Sequence, residues 1–143
     1  MGGVKVRGNP DPDADVTLFF DRNIGTTIPK ALLALKPPCG IEWHQLHFAH
    51  DAKDDIWMPV VGGWGWFLVG QDYKHHLLPN ELTAIKQHNM GAFYLWGSEA
   101  TKWQQFQVLM KAFDKVLERS RRVPRPFIYR ILGNGALTEE VFA

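Results

Sequence analysis

Val16–Leu35, VTLFFDRNIGTTIPKALLAL, is the stretch from which the fold is read. Val16–Phe20 is an apolar strand that ends in an acid, Asp21. A polar turn, Arg22–Thr27, follows, and a helix opens at Thr27-Ile28-Pro29. Thr is a good N-cap, and Pro suits a first helical turn, where its missing N–H would have no partner anyway. The helix is expected over about Pro29–Lys36, with Ile28, Leu32 and Leu35 on one face. Pro37-Pro38-Cys39-Gly40 stops it. A carboxylate at the C-terminal end of a buried parallel strand points into the crevice where open α/β sheets hold their ligands. Further acids in the same crevice would make a site for a divalent cation.

The same alternation continues along the chain. Ile41–Leu46 reads as a second strand, and Asp54-Asp55 start a helix to about Gly62 with an Asp N-cap. Trp66–Gly70 is continuously apolar, as a central parallel strand should be, and it delivers Gln71-Asp72 at its end. A helix from Pro79 to about His88 leads to a strand over Ala92–Trp96. Ser98 is expected to cap a long helix, about Thr101–Arg119, with Trp103, Phe106, Met110, Phe113 and Leu117 as its buried stripe. Phe127–Leu132 reads as a last, edge strand, since Pro124 and Pro126 precede it. The expected organisation is a Gly/Pro/Asp-rich leader at 1–15, one domain at 16–132 and a loose tail at 133–143. Strands alternating with helices predict a three-layer α/β/α sandwich on a mainly parallel sheet of four or five strands.

Composition narrows the class. A chain of 143 residues with 45% hydrophobic content is large enough for one real core. A net charge of +1 does not announce a nucleic-acid binder, so any phosphate contact must be local. Arg119, Arg121, Arg122 and Arg125 are the only basic cluster, equally readable as a solvated helix end that suits the helix dipole. The single cysteine, Cys39, excludes an intrachain disulfide and fits a reducing cytoplasm, the expected location. No signal-peptide pattern and no bilayer-length apolar run is present.

Three acids stand out by position: Asp21, Asp54 and Asp72. Mg²⁺ takes oxygen ligands from one or two carboxylates, with water and substrate phosphate completing its shell. Clustered carboxylates raise one another's pKa, and a metal removes that penalty while lowering the pKa of bound water. Each acid also has an ordinary reading: an Asx turn at Asp21, a helix cap at Asp54 or Asp55, a solvated loop at Asp72. Two separate strands ending in Asp favour a site. The histidines 44, 47 and 50 invite a zinc reading, but they do not share one element face. Gly62-Gly63-Trp64-Gly65 lacks the Lys-Ser/Thr of a P-loop, and Ser98 has no evident base partner.

FFDRNIGTTIPKALLAL, then DDIWMPVVGGWGWFLVGQDYK, then GAFYLW, resembles the PIN-like nuclease superfamily, most closely its small VapC-like toxin branch. The likeness covers about residues 16–97. It implies a PIN-like fold and Mg²⁺- or Mn²⁺-dependent cleavage of RNA. It implies a toxin of a toxin–antitoxin pair, with RNA and an antitoxin protein as partners; apart from the resemblance, no membrane is expected, and a second copy of the chain is a further candidate partner. By position it makes Asp21, Asp54 and Asp72 the metal ligands, with Asp55 as the fallback to Asp54. Arg22, Lys74, Arg121 and Arg122 are the expected phosphate contacts. A fourth acid often follows the last of these in the family; here Tyr73, Lys74 and His75 stand there. That departure leaves one or two metals open, and with it the alternative of a weakly active or inactive binding module.

Overall fold

A computed structural model describes residues 15–73 and 79–140. Among these residues six strands make one sheet in the order β2-β1-β3-β4-β5-β6. They are β1 (Thr17–Phe20), β2 (Gly40–Trp43), β3 (Phe67–Gln71), β4 (Gly91–Leu95), β5 (Phe127–Ile131) and β6 (Leu137–Glu140). The first five pair in parallel, and β6 runs antiparallel to β5. The helices are α1 (Thr27–Leu35), the single turn α2 (His44–His47), α3 (Asp54–Trp64), α4 (Pro79–Gln87) and α5 (Lys102–Arg122).

Strand alternation sorts the core into two layers. Leu18, Phe20, Val69, Phe93 and Leu95 face Ile28 and Leu32 of α1 and Val108, Leu109 and Phe113 of α5. Phe19, Leu68, Ala92, Tyr94 and Ile128 face Trp57, Met58 and Val61 of α3 and Ile85 of α4. Apolar runs buried on both faces are what a helix-covered parallel sheet requires. The expected three-layer α/β/α sandwich is therefore present.

The differences have local causes. The sheet has six strands, because Leu137–Glu140 turns back along β5 instead of trailing loose. Asn134-Gly135 makes that hairpin: Gly135 takes φ +85°, and Leu132 N–H donates to Ala136 O at 2.9 Å. β5 is consequently an interior strand. The strand expected to Leu46 stops at Trp43, because Phe20↔Trp43 is the last pair β1 offers, and His44 starts a helical turn. Asp54 sits inside the first turn of α3, with Lys53 at the N-cap. Thr101 and Gln104, not Ser98, cap α5 in a reciprocal capping box. The buried face of α5 runs through Gln105, Val108, Leu109, Ala112 and Val116. Phe113 and Leu117 keep their expected places, but Trp103 is 67% exposed and Phe106 and Met110 lie at the margin.

Among the described residues no helix is long and apolar enough to cross a membrane. The strand order places the site: from β1 the chain goes to β2 on one side and then to β3 on the other. Such a reversal opens a crevice at the C-terminal ends of the strands, beside Asp21.

Candidate active site

Asp21 leaves β1 still tied to the sheet, its N–H donating to Val69 O of β3 at 2.9 Å. Its carboxylate accepts the Arg22 N–H at 2.6 Å and so caps the 3₁₀ turn Arg22–Ile24. The Asx-type reading thus holds for one oxygen, yet the group is not at rest. Burial pushes its pKa up to about 6; the Arg22 N–H works against this, and the charges of Asp54 and Glu81 add to it.

Asp54 reaches the same crevice from the first turn of α3. Its Oδ1 accepts from the indole Nε1 of buried Trp57 at 3.0 Å, and Arg22 Nη2 stands 3.6 Å from the same oxygen. Arg22 is itself held: Nη1 lies 3.1 Å from His44 Nε2 and also donates to Ala52 O. A guanidinium only donates, so His44 Nε2 accepts and its proton sits on Nδ1. His44 is buried among Phe19, Phe48 and Trp57, and its Nδ1 has no partner among the described residues. Burial, with Arg22 beside it, lowers its pKa to about 4, so it stays neutral at pH 7.

A third acid comes from α4. Glu81 accepts the Tyr94 hydroxyl at 3.1 Å, and burial, with the Asp54 charge, raises its pKa. Tyr94 lies over Gly70, where a Cβ would stand 3.0 Å from its ring, so a side chain there would press on the phenol that reaches Glu81. Tyr73 flanks the group: it is bonded to Asn23 and raised by burial, then by Asp21 and Glu81. Asp21, Asp54 and Glu81 therefore form a patch of mutually repelling carboxylates. Among the described residues no three His, Cys, Asp or Glu side chains are drawn together as a finished metal-binding set.

The remaining sequence candidates lie elsewhere. Asp72, expected beside Asp21, is paired with Arg130: Nη1 donates to Asp72 Oδ1 at 2.7 Å, with both side chains 8% exposed. Arg130 also meets Glu140 at 2.8 Å. Asp72 is thus a partner in a buried ion pair, and Glu81 stands by Asp21 and Asp54. Asp55 points to solvent. Lys74 lies outside the described residues. Arg121 pairs with Asp15 at 3.1 Å and Arg122 with Glu118 at 3.2 Å. Both lie at the far end of α5, next to the starts of the strands, on the edge opposite Asp21. Arg125 is there too, donating to Gly65 O and lying over Phe67. His47 bonds Glu42 at 2.8 Å and His44 bonds Arg22, so these histidines are internal partners. Glu81 went unnoticed in the sequence; its one signal is an acid in the first turn of a helix that follows a strand end.

The family model described as a PIN-like domain matches residues 16–97. No curated protein and no solved structure matches the chain.

Proposed function

Because this chain belongs to the PIN-like domain family, whose members are generally nucleases, we propose that it is a metal-dependent ribonuclease with Asp21, Asp54 and Glu81 at its centre. The observation that carries this is Asp21 itself: a strand-end carboxylate lifted to about 6 by burial, facing two more acids. Half-buried carboxylates that oppose one another suit a hard divalent cation, which needs only one or two of them beside water and phosphate. One or two of Asp21, Asp54 and Glu81, with water and substrate phosphate, would hold Mg²⁺ or Mn²⁺, which would supply charge neutralisation at the scissile phosphate and an activated water. The chain's own residues do the rest. Trp57 and Arg22 hold one oxygen of Asp54. Neutral His44 holds Arg22 without adding charge. Tyr94 keeps Glu81 oriented. Purified protein cuts RNA with Mn²⁺, stops with EDTA, and loses activity in Asp21→Asn while staying folded. Unchanged cutting by that variant rules the mechanism out.

We carry the reading further to a toxin held in check by an antitoxin, as the sequence resemblance implies. Growth arrest on expression, relieved by a small neighbouring reading frame, tests it. Arg22 already beside Asp54, and the looseness of the acid patch, favour one rival: a PIN-like module that binds RNA or protein without cutting it. Mn²⁺ raises the melting temperature of the nuclease and not of Asp21→Asn; the rival predicts no Mn²⁺ effect in either.

A further inference from the structure

From Ile56 to Trp66 the sequence, IWMPVVGGWGW, holds no charged residue and no polar side-chain group other than the indole N–H. Most of this run is α3, a helix on the outside of the sandwich. Trp57, Met58 and Val61 take its inward side. Ile56, Val60 and Trp64 are left on the outside, 61%, 39% and 40% exposed. A helix that is apolar on both sides belongs in an interior, so a second surface has to cover this one. The three residues stand at steps of four and form one ridge along the helix. Trp64 is braced by Trp66, their ring centroids 4.5 Å apart. Gly63 lies beside the ridge, and a Cβ built there would meet nothing within 4 Å. Ile56 is thus a bulge and Gly63 a hollow, about two turns apart on the same side of the helix.

Charge selects the occupant. Around a two-fold axis a patch meets itself, so a patch of one sign repels its copy and a neutral one does not. The groove of about 450 Å³ between α1 and α5, beside exposed Leu35 and Trp103, fails on this count: Lys102 lines it, and Lys111 lines its continuation along α5. The α3 ridge is neutral along its length, and its ends differ in sign. Asp55 is exposed at the N-terminal end, and Arg125 donates to Gly65 O at the C-terminal end. Neither has an ion-pair partner among the described residues. The other charges at the first end are Lys53, the N-cap, and Asp54, which is held by Trp57 and Arg22. We propose that α3 is the contact between two copies of this chain, packed antiparallel about a two-fold axis at Val60. In that crossing Val60 meets its own counterpart, and Ile56 enters the hole between Val60, Gly63 and Trp64 of the second copy. Asp55 then stands opposite the helix end that carries Arg125. Interdigitated ridges of this spacing are the commonest packing of two helices, and Asp55 to Gly65 gives the contact a length of about 15 Å.

Sedimentation of the full chain reads the pairing. The parent is a dimer at about 100 µM and dissociates on dilution, as a small apolar contact does. Val60→Glu sets two carboxylates face to face on the axis and weakens pairing at least ~100-fold; Val60→Lys does the same with two ammonium groups. Mixed in equal amounts, the two variants pair again, because the axis then brings opposite charges together. Gly63→Leu fills the hollow and weakens pairing at least ~10-fold. It replaces a glycine inside a helix with a better helix former, so its melting temperature, read where the parent is monomeric, does not fall. A parent that stays monomeric at about 100 µM overturns the contact and leaves the ridge to a different chain. Pairing that survives Val60→Glu or Gly63→Leu overturns it too, as do Glu and Lys variants that fail to pair when mixed. None of these readings involves RNA, so the contact stands or falls whether or not the chain is a nuclease.

Discussion

Two aspartates, Asp21 and Asp72, end neighbouring parallel strands, and their surroundings differ in sign. Burial first, then the charges of Asp54 and Glu81, lift the pKa of Asp21 to about 6 against the pull of the Arg22 N–H and guanidinium. Asp72 meets Arg130, itself backed by Glu140, and is neutralised inside the fold. A strand end aims a carboxylate at the crevice. What the neighbouring elements bring across decides whether it stays reactive or becomes a structural pair. β5 brings a cation to Asp72; α3 and α4 bring acids to Asp21.

Substituting each in turn separates the two roles. Asp21→Asn keeps the cap to Arg22 N–H, because an amide oxygen still accepts. It lowers RNA cleavage at least ~100-fold, the scale of losing a group that acts on the reacting atoms, with no loss of melting temperature. Asp72→Asn removes a negative charge that faces buried Arg130. It costs about 3 kcal/mol, read as a fall of roughly 6–12 °C in melting temperature, with cleavage retained below the transition. Activity loss at constant stability in Asp72→Asn would reverse the assignment.

How much of this was readable follows from sequence distance. Asp21 was legible because strand, acid, turn and helix are contiguous. Asp54 was legible because Trp57, its hydrogen-bond partner, lies three residues on, one helical turn away. The pairing of Asp72 was not legible because its partner, Arg130, is 58 residues away on a strand whose register no local pattern reveals. Glu81 needed the placement of α4 over Gly70 and Tyr94, which only the folded chain supplies. Asn134-Gly135 did carry a hairpin signal, but the strand after it is half exposed and alternates weakly.

Acidity sharpens the contrast without RNA. The folded pKa of Asp21 is about 6 against 3.8, so the folded state keeps a proton that the unfolded chain releases. Its contribution is complete below about pH 4 and is lost as pH rises through 6. Asp21→Asn escapes that loss: it is more stable than the parent by up to about 3 kcal/mol near pH 7.5, and by nothing near pH 4. His44 works the other way, its pKa lowered to about 4 from 6.5. Its contribution is present above 6.5 and lost as pH falls towards 4. Denaturant unfolding at several pH values checks both: the Asp21→Asn curve keeps the acid-side loss and drops the neutral one. Mn²⁺ that stabilises the parent near pH 7.5 closes the gap between the two proteins.

The smallest effect is expected farthest from the acids. Arg121 and Arg122 are the obvious basic residues of the chain, yet they face Asp15 and Glu118 at the opposite edge of the sheet. Exposed pairs of this kind contribute about 0–1 kcal/mol, so Arg121→Ala with Arg122→Ala shifts stability by no more than about 1 kcal/mol. Cleavage of a short RNA should be unchanged, because a strand seated at Asp21 does not pass that edge. The salt dependence is the stricter measurement: each lost phosphate contact on a single strand flattens the log–log slope by about 0.7. A flatter slope in the double variant would mean that RNA runs the length of α5, and that the charge of the far edge, not only the acid crevice, belongs to the substrate path.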